Sequence, residues 1–151
     1  MSAILEALTR GIHTSNAEET ISIGEQLAKE LPADACLALY GDLGVGKTTL
    51  VKGIARGLLI EKNITSPTFN IFSIYTGEKQ LIHLDAYRLS REQSIKNLMI
   101  EDFLRSPYLC VIEWPDNVPD LIDENTIKLE LSIEINSNDC LLYTSPSPRD
   151  A

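Results

Sequence analysis

Apolar residues recur along this chain at helical spacing in two segments and as short runs in several others. Residues 15–31 and 49–59 carry apolar side chains three or four positions apart, which predicts two amphipathic helices. Ser15 and Glu18 have capping-box spacing at the start of the first helix, and Pro32 stops it. The positions expected on one face are Ile21, Gly24, Leu27 or Ala28, and Leu31 in the first helix, and Leu50, Val51, Ile54 and Leu58 in the second.

Short apolar and alternating runs predict the strands of a sheet. The runs at 69–75 and 80–84 are separated only by the turn at 76–79, which is too short for a helical crossover. These two strands are therefore expected to pair antiparallel. Residues 90–105 have helical character, and the strictly alternating run at 126–135 is expected to be the last strand. Further strands are predicted at 11–14, as an edge strand, at 36–40 and at 108–113.

The composition of the chain changes after Asn136. The stretch from Thr144 to Ala151 is rich in Ser and Pro and cannot contribute to a hydrophobic core. We expect a single domain at residues 1–137, followed by a tail at 138–151 that is disordered or foreign to the fold.

The segment between the strand at 36–40 and the helix at 49–59 contains the pattern G-x-x-x-x-G-K-[ST]. Glycines let the backbone bring its N–H groups close to an anion, and a helix starting here points its positive dipole end at the same anion. Lys47 adds a positive charge at the outer phosphates, and the Thr48 hydroxyl can reach Mg²⁺. A glycine-rich turn that binds nothing is the alternative, but the order strand, loop, helix favours a nucleotide site. Its predicted residues are Gly41, Asp42, Leu43, Gly44, Val45, Gly46, Lys47, Thr48 and Thr49.

The glycine loop and the hairpin together predict the fold class. We expect an α/β protein, a three-layer sandwich like that of P-loop NTPases, with a mixed and partly antiparallel central sheet. The antiparallel hairpin distinguishes this fold from the purely parallel doubly wound sheets.

Two of the predicted strands end in a carboxylate. Asp85 follows the second arm of the hairpin, and Glu113 ends a later apolar strand. Acids at strand ends beside a glycine loop are natural Mg²⁺ ligands or water-positioning bases, although Asp85 can also be a cap or turn residue. His83 faces the same side of its strand as Asp85 and is either structural or functional. Trp114, the only tryptophan, either belongs to the core or covers the site.

Composition and charge exclude several classes of function. The 151 residues carry a net charge of −9 and no basic stripe, which argues against a broad grip on nucleic acid. No apolar run approaches the roughly 20 residues that a membrane helix needs, and we expect no export signal at the N-terminus. The three cysteines form no C-x-x-C pair, so we expect neither a disulfide framework nor a zinc site, and a reduced, cytosolic protein.

Four motifs stand in order along the chain: G-D-L-G-V-G-K-T-T at 41–49, S-P-T-F at 66–69, H-L-D-A-Y-R-L at 83–89 and I-E-W at 112–114. This set closely resembles the TsaE family (formerly YjeE), small bacterial ATPases needed to make the threonylcarbamoyladenosine of tRNA. The resemblance covers about residues 15–135. A glycine loop is common, but the other three motifs in this order are specific.

The resemblance implies a cytoplasmic protein that binds ATP and ADP and slowly hydrolyses ATP with Mg²⁺. It also implies TsaB- and TsaD-like partners, with TsaD performing the transfer to tRNA and TsaE resetting the complex, so that it meets tRNA only indirectly. By position, Lys47 matches the family's phosphate-binding lysine, and Asp85 matches its catalytic aspartate. Thr48 and Glu113 match the magnesium ligands, and Thr68 matches a threonine that can act as a nucleotide-sensing switch. The expected catalytic residues are thus Asp85, Glu113 and Lys47, with Thr68 and Trp114 joining the loop at the nucleotide.

Two other functions fit a phosphate-binding loop. A small-molecule kinase usually needs a lid with several arginines, whereas the six arginines of this chain are scattered. A non-catalytic nucleotide switch would bind partners without hydrolysis, and slow hydrolysis can also drive partner exchange. No guanine-reading N-K-x-D stands in the chain, which favours ATP as the nucleotide.

Overall fold

A seven-stranded mixed sheet organises the described part of the chain. The computed structural model describes residues 3–42, 46–65, 72–87, 100–134 and 139–144. The α-helices in these residues are α1 (Ala3–Arg10), α2 (Ala17–Glu30) and α3 (Lys47–Gly57). The strands are β1 (Ile12–Thr14), β2 (Ala35–Tyr40), β3 (Phe72–Thr76), β4 (Gln80–Asp85), β5 (Tyr108–Glu113), β6 (Ile127–Ile133) and β7 (Cys140–Thr144). Short 3₁₀ helices lie at Ile100–Phe103, Pro115–Asn117 and Pro119–Leu121.

The strand order is β1-β7-β6-β2-β5-β4-β3. β2 pairs in parallel with both β5 and β6, and β4 pairs in parallel with β5. The pairs β3–β4, β6–β7 and β1–β7 are antiparallel. The predicted class, α/β with a mixed sheet and an antiparallel hairpin, is therefore confirmed. Because β2, β5 and β4 run in the same direction, their carboxyl ends meet at one edge of the sheet.

One face of the sheet is covered by the three described α-helices. The buried apolar residues of α1, α2 and α3 share one cluster with alternate residues of the strands. α2 and α3 approach closely, because a Cβ added at Gly24 would collide with the backbone of Leu50, and one at Gly53 would collide with Ile21. The predicted apolar positions of α3 are all buried: Leu50, Val51, Ile54 and Leu58.

The opposite face carries a second buried cluster, built from Ile82, Leu84, Ala86, Cys110, Ile112 and Val118. In the described residues this face is covered by the segments around the 3₁₀ helices, from which Leu104, Leu121 and Ile122 pack against the cluster. Much of the helix predicted at 90–105 falls on residues 88–99, which lie outside the described residues. None of the helices in the described ranges combines the length and the apolar character that a membrane span requires.

The predicted start of α2 is wrong by one residue. Asn16, not Ser15, is the N-cap, and its side chain accepts a 2.9 Å hydrogen bond from the Glu19 amide. The Glu19 carboxylate accepts a 2.6 Å hydrogen bond from the amide of Ser15, one residue before the N-cap. Glu19 therefore takes the place predicted for Glu18. An Asn side chain is as good an N-cap as Ser, so the pattern alone did not discriminate between the two registers.

The buried face of α2 differs from its prediction at one position. Gly24, Leu27 and Ala28 are buried as expected, but Ile23 rather than Ile21 completes the face. Ile21 is only half-buried, and its backbone lies close to Gly53 of α3. At Ile21, where the periodicity predicted that the side chain would be buried, the main chain makes the close contact between α2 and α3.

The prediction that 126–135 is the last strand is wrong. β7 adds to the sheet after it, pairing with β6 on one side and with the short β1 on the other. Residues 140–144, which the composition assigned to the tail, thus form a strand, and Leu142 is fully buried. Residues 145–151 lie outside the described residues. Residues 140–144 hold no Ser or Pro, so the composition that predicted the tail belongs to the residues after them.

Candidate functional site

The candidate site lies at the carboxyl edge of β2, where the glycine loop leads into α3. Gly41 follows the strand with φ of 146°, and Gly46 precedes Lys47 with φ of 103°. A Cβ at Gly46 would meet nothing within 4 Å, so glycine is needed there for its left-handed backbone and not for space. Gly46, the N-cap residue of α3, has no side chain that could bond the first amides of the helix, so these amides can interact with an anion. The predicted loop residues Leu43, Gly44 and Val45 lie outside the described residues, as does Thr68.

Lys47 is buried at the first position of α3, with only 4% of its surface exposed. Its Nζ donates a 2.6 Å hydrogen bond to the Gly41 carbonyl, closing the ends of the glycine loop. The same Nζ lies 3.8 Å from the centroid of the Trp114 ring, a cation–π contact. The Lys47 ammonium is therefore held between the Gly41 carbonyl and the face of the Trp114 ring.

Burial lowers the pKa of Lys47 below its ordinary value. Three negative charges oppose this effect and favour the ammonium form: Glu113 first, then Asp85 and Asp42. The lysine therefore lies in the field of acids from three separate segments of the chain. Lys47, Asp42, Asp85 and Glu113 are therefore close enough to interact electrostatically, although Asp85 and Glu113 are far from the lysine in sequence.

Asp85 and Glu113 end adjacent parallel strands and are direct register partners. Glu113 is also the register partner of Leu39 on β2, so it stands between the glycine-loop strand and Asp85. Glu113 is 3% exposed, whereas Asp85 is half-buried. The Asp85 Oδ1 accepts a 3.0 Å hydrogen bond from the Tyr87 amide. The two acids thus differ in exposure, which suits them to different tasks.

His83 lies beneath this edge and is completely buried. Its Nε2 is 2.5 Å from the Glu113 Oε2, and its Nδ1 has no hydrogen-bond partner among the described residues. A buried carboxylate is costly unless it is hydrogen-bonded or paired. His83 supplies such a bond to Glu113.

Two short bonds hold the ends of β4 and β5 together beyond the acids. The Ala86 amide donates to the Glu113 carbonyl at 3.1 Å. The Asn117 side-chain amide donates to the Ala86 carbonyl at 2.8 Å. Asn117 was not among the predicted site residues, and no motif marks it. Its role depends on the turn at Pro115–Asn117, which only the folded chain brings back over β4.

Trp114 both contacts Lys47 and packs against the core. Its backbone is left-handed, with φ of 58°, an uncommon conformation for a bulky residue. This turn points the indole at Lys47 and at the Tyr87 ring, whose centroid is 4.9 Å away at an interplanar angle of 46°. The indole also contacts the second hydrophobic cluster. The packing against the core is therefore confirmed, and the covering of a nucleotide by Trp114 stays a prediction.

The donor set around the site suits a hard divalent cation. Carboxylate and hydroxyl oxygens are the ligands that Mg²⁺ prefers, and Glu113, Asp85 and the Thr48 hydroxyl are of this kind. Across the described ranges no three His, Cys, Asp or Glu side chains come close enough to form a metal site by themselves. Mg²⁺ bound with a nucleotide typically takes only one or two protein ligands, with phosphate and water completing its shell. The residues present therefore fit such an ion.

The structure thus brings together the predicted residues that it describes. Lys47, Thr48 and Thr49 form the first turn of α3, Gly41 and Gly46 flank the loop, and Asp42 acts on the lysine through its charge. Their chemical roles remain predictions.

Comparison with known proteins gives a consistent family. The family model described as "Threonylcarbamoyl adenosine biosynthesis protein TsaE" matches residues 14–140. A protein of Treponema pallidum named tRNA threonylcarbamoyladenosine biosynthesis protein TsaE is 33% identical over 123 residues, covering 82% of this chain and 91% of that protein. The protein of the same name from Nostoc sp. is 40% identical over 113 residues, covering 72% of this chain and 69% of that protein.

A solved structure agrees with these sequence matches. The crystal structure of YdiB from Bacillus subtilis superposes with a TM-score of 0.71 and 27% identity, covering 93% of this chain and 87% of that one. The family model, the relatives and the fold lead to the same result, and the chain belongs to the TsaE family of threonylcarbamoyl adenosine biosynthesis proteins.

Proposed function

We propose that this protein binds ATP with Mg²⁺ and hydrolyses it slowly, and that hydrolysis resets a complex of TsaB- and TsaD-like proteins that makes threonylcarbamoyladenosine in tRNA. The observation that carries the chemical part is the convergence of Lys47, Glu113 and Asp85 at the amino end of α3. The tRNA modification is supported by the family and by the names of its relatives.

The polyphosphate would be held by the amino end of α3 and by Lys47. The glycine at position 46 leaves open space where a side chain would stand, so an anion can approach the main-chain amides. Lys47 would exchange its bond to the Gly41 carbonyl for a bond to a phosphate oxygen. An ammonium bonded to a phosphate is charge-assisted and stronger than one bonded to a neutral carbonyl, so this exchange favours the bound state.

Glu113 and Thr48 are the residues that would hold Mg²⁺. When bound, Mg²⁺ would neutralise charge on the phosphate oxygens and orient them for displacement. Glu113 is the better ligand of the two acids, because it is buried, lies directly beside β2 and is hydrogen-bonded by His83. Thr48 stands one residue after the phosphate-binding lysine on the same helical turn.

Asp85 would orient the attacking water. It is the more exposed of the two acids and lies one strand further from the glycine loop. Its bond from the Tyr87 amide fixes one carboxylate oxygen. In the reaction, an oxygen–phosphorus bond forms from water to the γ-phosphorus and the bond to ADP breaks, while Lys47 and the loop amides stabilise the equatorial oxygens.

The partner complex would supply what this chain lacks for the modification itself. The net charge of −9 argues against direct gripping of tRNA, so contact with tRNA would be indirect. Because the relatives are bacterial proteins of tRNA modification, we place the protein in the cytoplasm.

The test is ATP turnover with and without purified TsaB- and TsaD-like proteins, for wild type, Lys47→Ala and Asp85→Asn. We expect Lys47→Ala to weaken ATP binding by about 10–100-fold, because a hydrogen bond to a charged group contributes about 1.5–3 kcal/mol. Asp85→Asn should keep ATP binding and lose turnover. The exposed residues Lys52 on α3 and Asp120 provide the controls Lys52→Ala and Asp120→Asn, which should match wild type.

Two outcomes would contradict the proposal. Normal ATP affinity and turnover in Lys47→Ala would show that the proposed nucleotide site is wrong. Full turnover in Asp85→Asn would show that Asp85 does not orient the attacking water. A non-catalytic switch is the second candidate, favoured by the contacts that hold Lys47 on Gly41 and Trp114. An Asp85→Asn protein that lacks turnover but still supports tRNA modification would favour the switch.

A further inference from the structure

The His83 side chain makes a short contact to Glu113. Its Nε2 lies 2.5 Å from Oε2 of the carboxylate, and both side chains are buried. The contact crosses between neighbouring parallel strands, because His83 is in register with Val111 and Asp85 is in register with Glu113. The imidazole ring therefore extends from the level of Val111 towards Glu113, two residues further along β5.

The chemistry of the two groups fixes the direction of this bond. A carboxylate accepts hydrogen bonds, so the hydrogen between the two atoms belongs to Nε2 of the ring. The Nδ1 atom has no partner among the described residues. Leu81 and Val111, which flank the ring on the same face of the sheet, are completely buried. Among the described residues, the His83 side chain therefore hydrogen-bonds to Glu113 alone.

We propose that His83 is a positioning residue that holds the Glu113 Oε2, so that Glu113 binds Mg²⁺ through its other oxygen only. This inference rests on the proposed function, since it requires Mg²⁺ at Glu113. A carboxylate with one oxygen held is a monodentate ligand in a fixed orientation, which suits the small and strictly octahedral Mg²⁺. A carboxylate free to turn can bind through both oxygens, which suits the larger and more flexible shell of Ca²⁺. Partners of this kind orient the metal's own ligands and raise metal affinity.

The proposal predicts that His83 affects metal selectivity as well as metal affinity. His83→Met removes the donor while keeping an apolar side chain of similar length. His83→Gln keeps an N–H donor at about the distance of Nε2, whereas the shorter His83→Asn cannot reach Oε2. Leu81→Met is the packing control, because it alters the same buried face of β4 without touching Glu113.

The experiment measures the dissociation constant of ADP in EDTA, in Mg²⁺ and in Ca²⁺, together with Mn²⁺ binding by electron paramagnetic resonance. We expect His83→Met to keep the metal-free ADP affinity within about twofold and to lose about 10–100-fold in metal affinity, the usual effect of removing such a partner. Its preference for Mg²⁺ over Ca²⁺ should fall. His83→Gln should recover most of the loss, and Leu81→Met should show none of it.

Each remaining outcome decides a separate question. If Mg²⁺ does not strengthen ADP binding to wild type, the proposed function fails and not this inference alone. If wild type responds and His83→Met keeps the same metal enhancement and selectivity, His83 is merely structural and the inference is overturned. If His83→Met does not fold, the pair His83→Gln and His83→Asn decides, because equal metal responses in the two would overturn the proposal.

Discussion

At the residue scale, the buried Lys47 opposes the stability of the folded protein. The burial that lowers its pKa also makes the ammonium form costly in the folded protein, and neighbouring acids offset this only in part. In the proposed nucleotide complex, a phosphate would complete the compensation. Binding sites commonly keep such destabilising groups.

Replacing Lys47 by Met should therefore stabilise the nucleotide-free protein at neutral pH. The unfolded chain binds more protons at this position than the folded one, so the stability of wild type rises with pH from the lowered pKa towards the ordinary value of 10.5. The advantage of Lys47→Met should shrink over that interval. Urea unfolding at several pH values measures it, with the exposed Lys52→Met as a control that should stay within about 0.5 kcal/mol. An advantage that grows with pH would contradict the prediction.

Trp114 should report on the same lysine. It is the only tryptophan, and its ring lies 3.8 Å from the Lys47 Nζ. If a nucleotide draws Lys47 towards phosphate, the intrinsic fluorescence of the protein should change on addition of ADP with Mg²⁺. Titration of wild type should show a saturable change, and Lys47→Ala should show little or none at the same ADP concentrations. Identical titrations for both proteins would show that the fluorescence of Trp114 does not respond to Lys47 binding the nucleotide.

At the element scale, the amino end of α2 and its contact with α3 depend on single residues. Asn16 bonds the Glu19 amide, and Gly53 lets the backbone of α2 touch α3. Capping and close helix packing act locally, so each can be tested by one substitution with a neighbouring control.

Asn16→Ala should lower the free energy of unfolding by about 1 kcal/mol, the usual effect of losing an N-cap side chain. Ser15→Ala is the matched control, because the Ser15 contact to Glu19 uses the main-chain amide, which alanine retains. Thermal or urea unfolding should leave Ser15→Ala close to wild type. A loss of stability in Ser15→Ala but not in Asn16→Ala would show that Ser15 is the N-cap, as the sequence predicted.

Gly53→Ala should be more damaging, at about 3 kcal/mol, because the added Cβ collides with the main chain of Ile21 and neither helix can move without disturbing the core. Ser22→Ala, on the exposed side of α2, should change stability by no more than about 0.5 kcal/mol. Urea unfolding distinguishes the two. A Gly53→Ala protein as stable as wild type would show that the helices are further apart than described.

At the scale of the whole molecule, ligand binding and folding are linked. A ligand that binds only the folded protein at 100 times its dissociation constant adds about 2.7 kcal/mol. For a chain of this size we expect ADP with Mg²⁺ to raise the melting temperature by about 5–10 °C at that concentration. Lys47→Ala should lose most of this shift. An equal shift in both proteins would place the nucleotide elsewhere.

The sequence by itself determined the parts that depend on local chemistry. The glycine loop, its lysine and the start of α3 lie within a few residues, so their pattern predicts their geometry. The hairpin followed from a turn too short for a crossover, and the acids at the strand ends followed from where the apolar runs stop. The motifs also identified the family, which the comparisons confirm.

Only the tertiary structure decided which of these residues meet. The pairing of Asp85 with Glu113 depends on strand order and register, which are set by contacts far apart in the chain. The bond from His83 to Glu113 and the contact of Trp114 with Lys47 follow from that register and from a left-handed turn. α1 and β7 were missed because short segments gain stability from packing rather than from their own pattern. Local spacing therefore predicts the structure and chemistry of each segment, while long-range packing decides which residues of different segments come into contact.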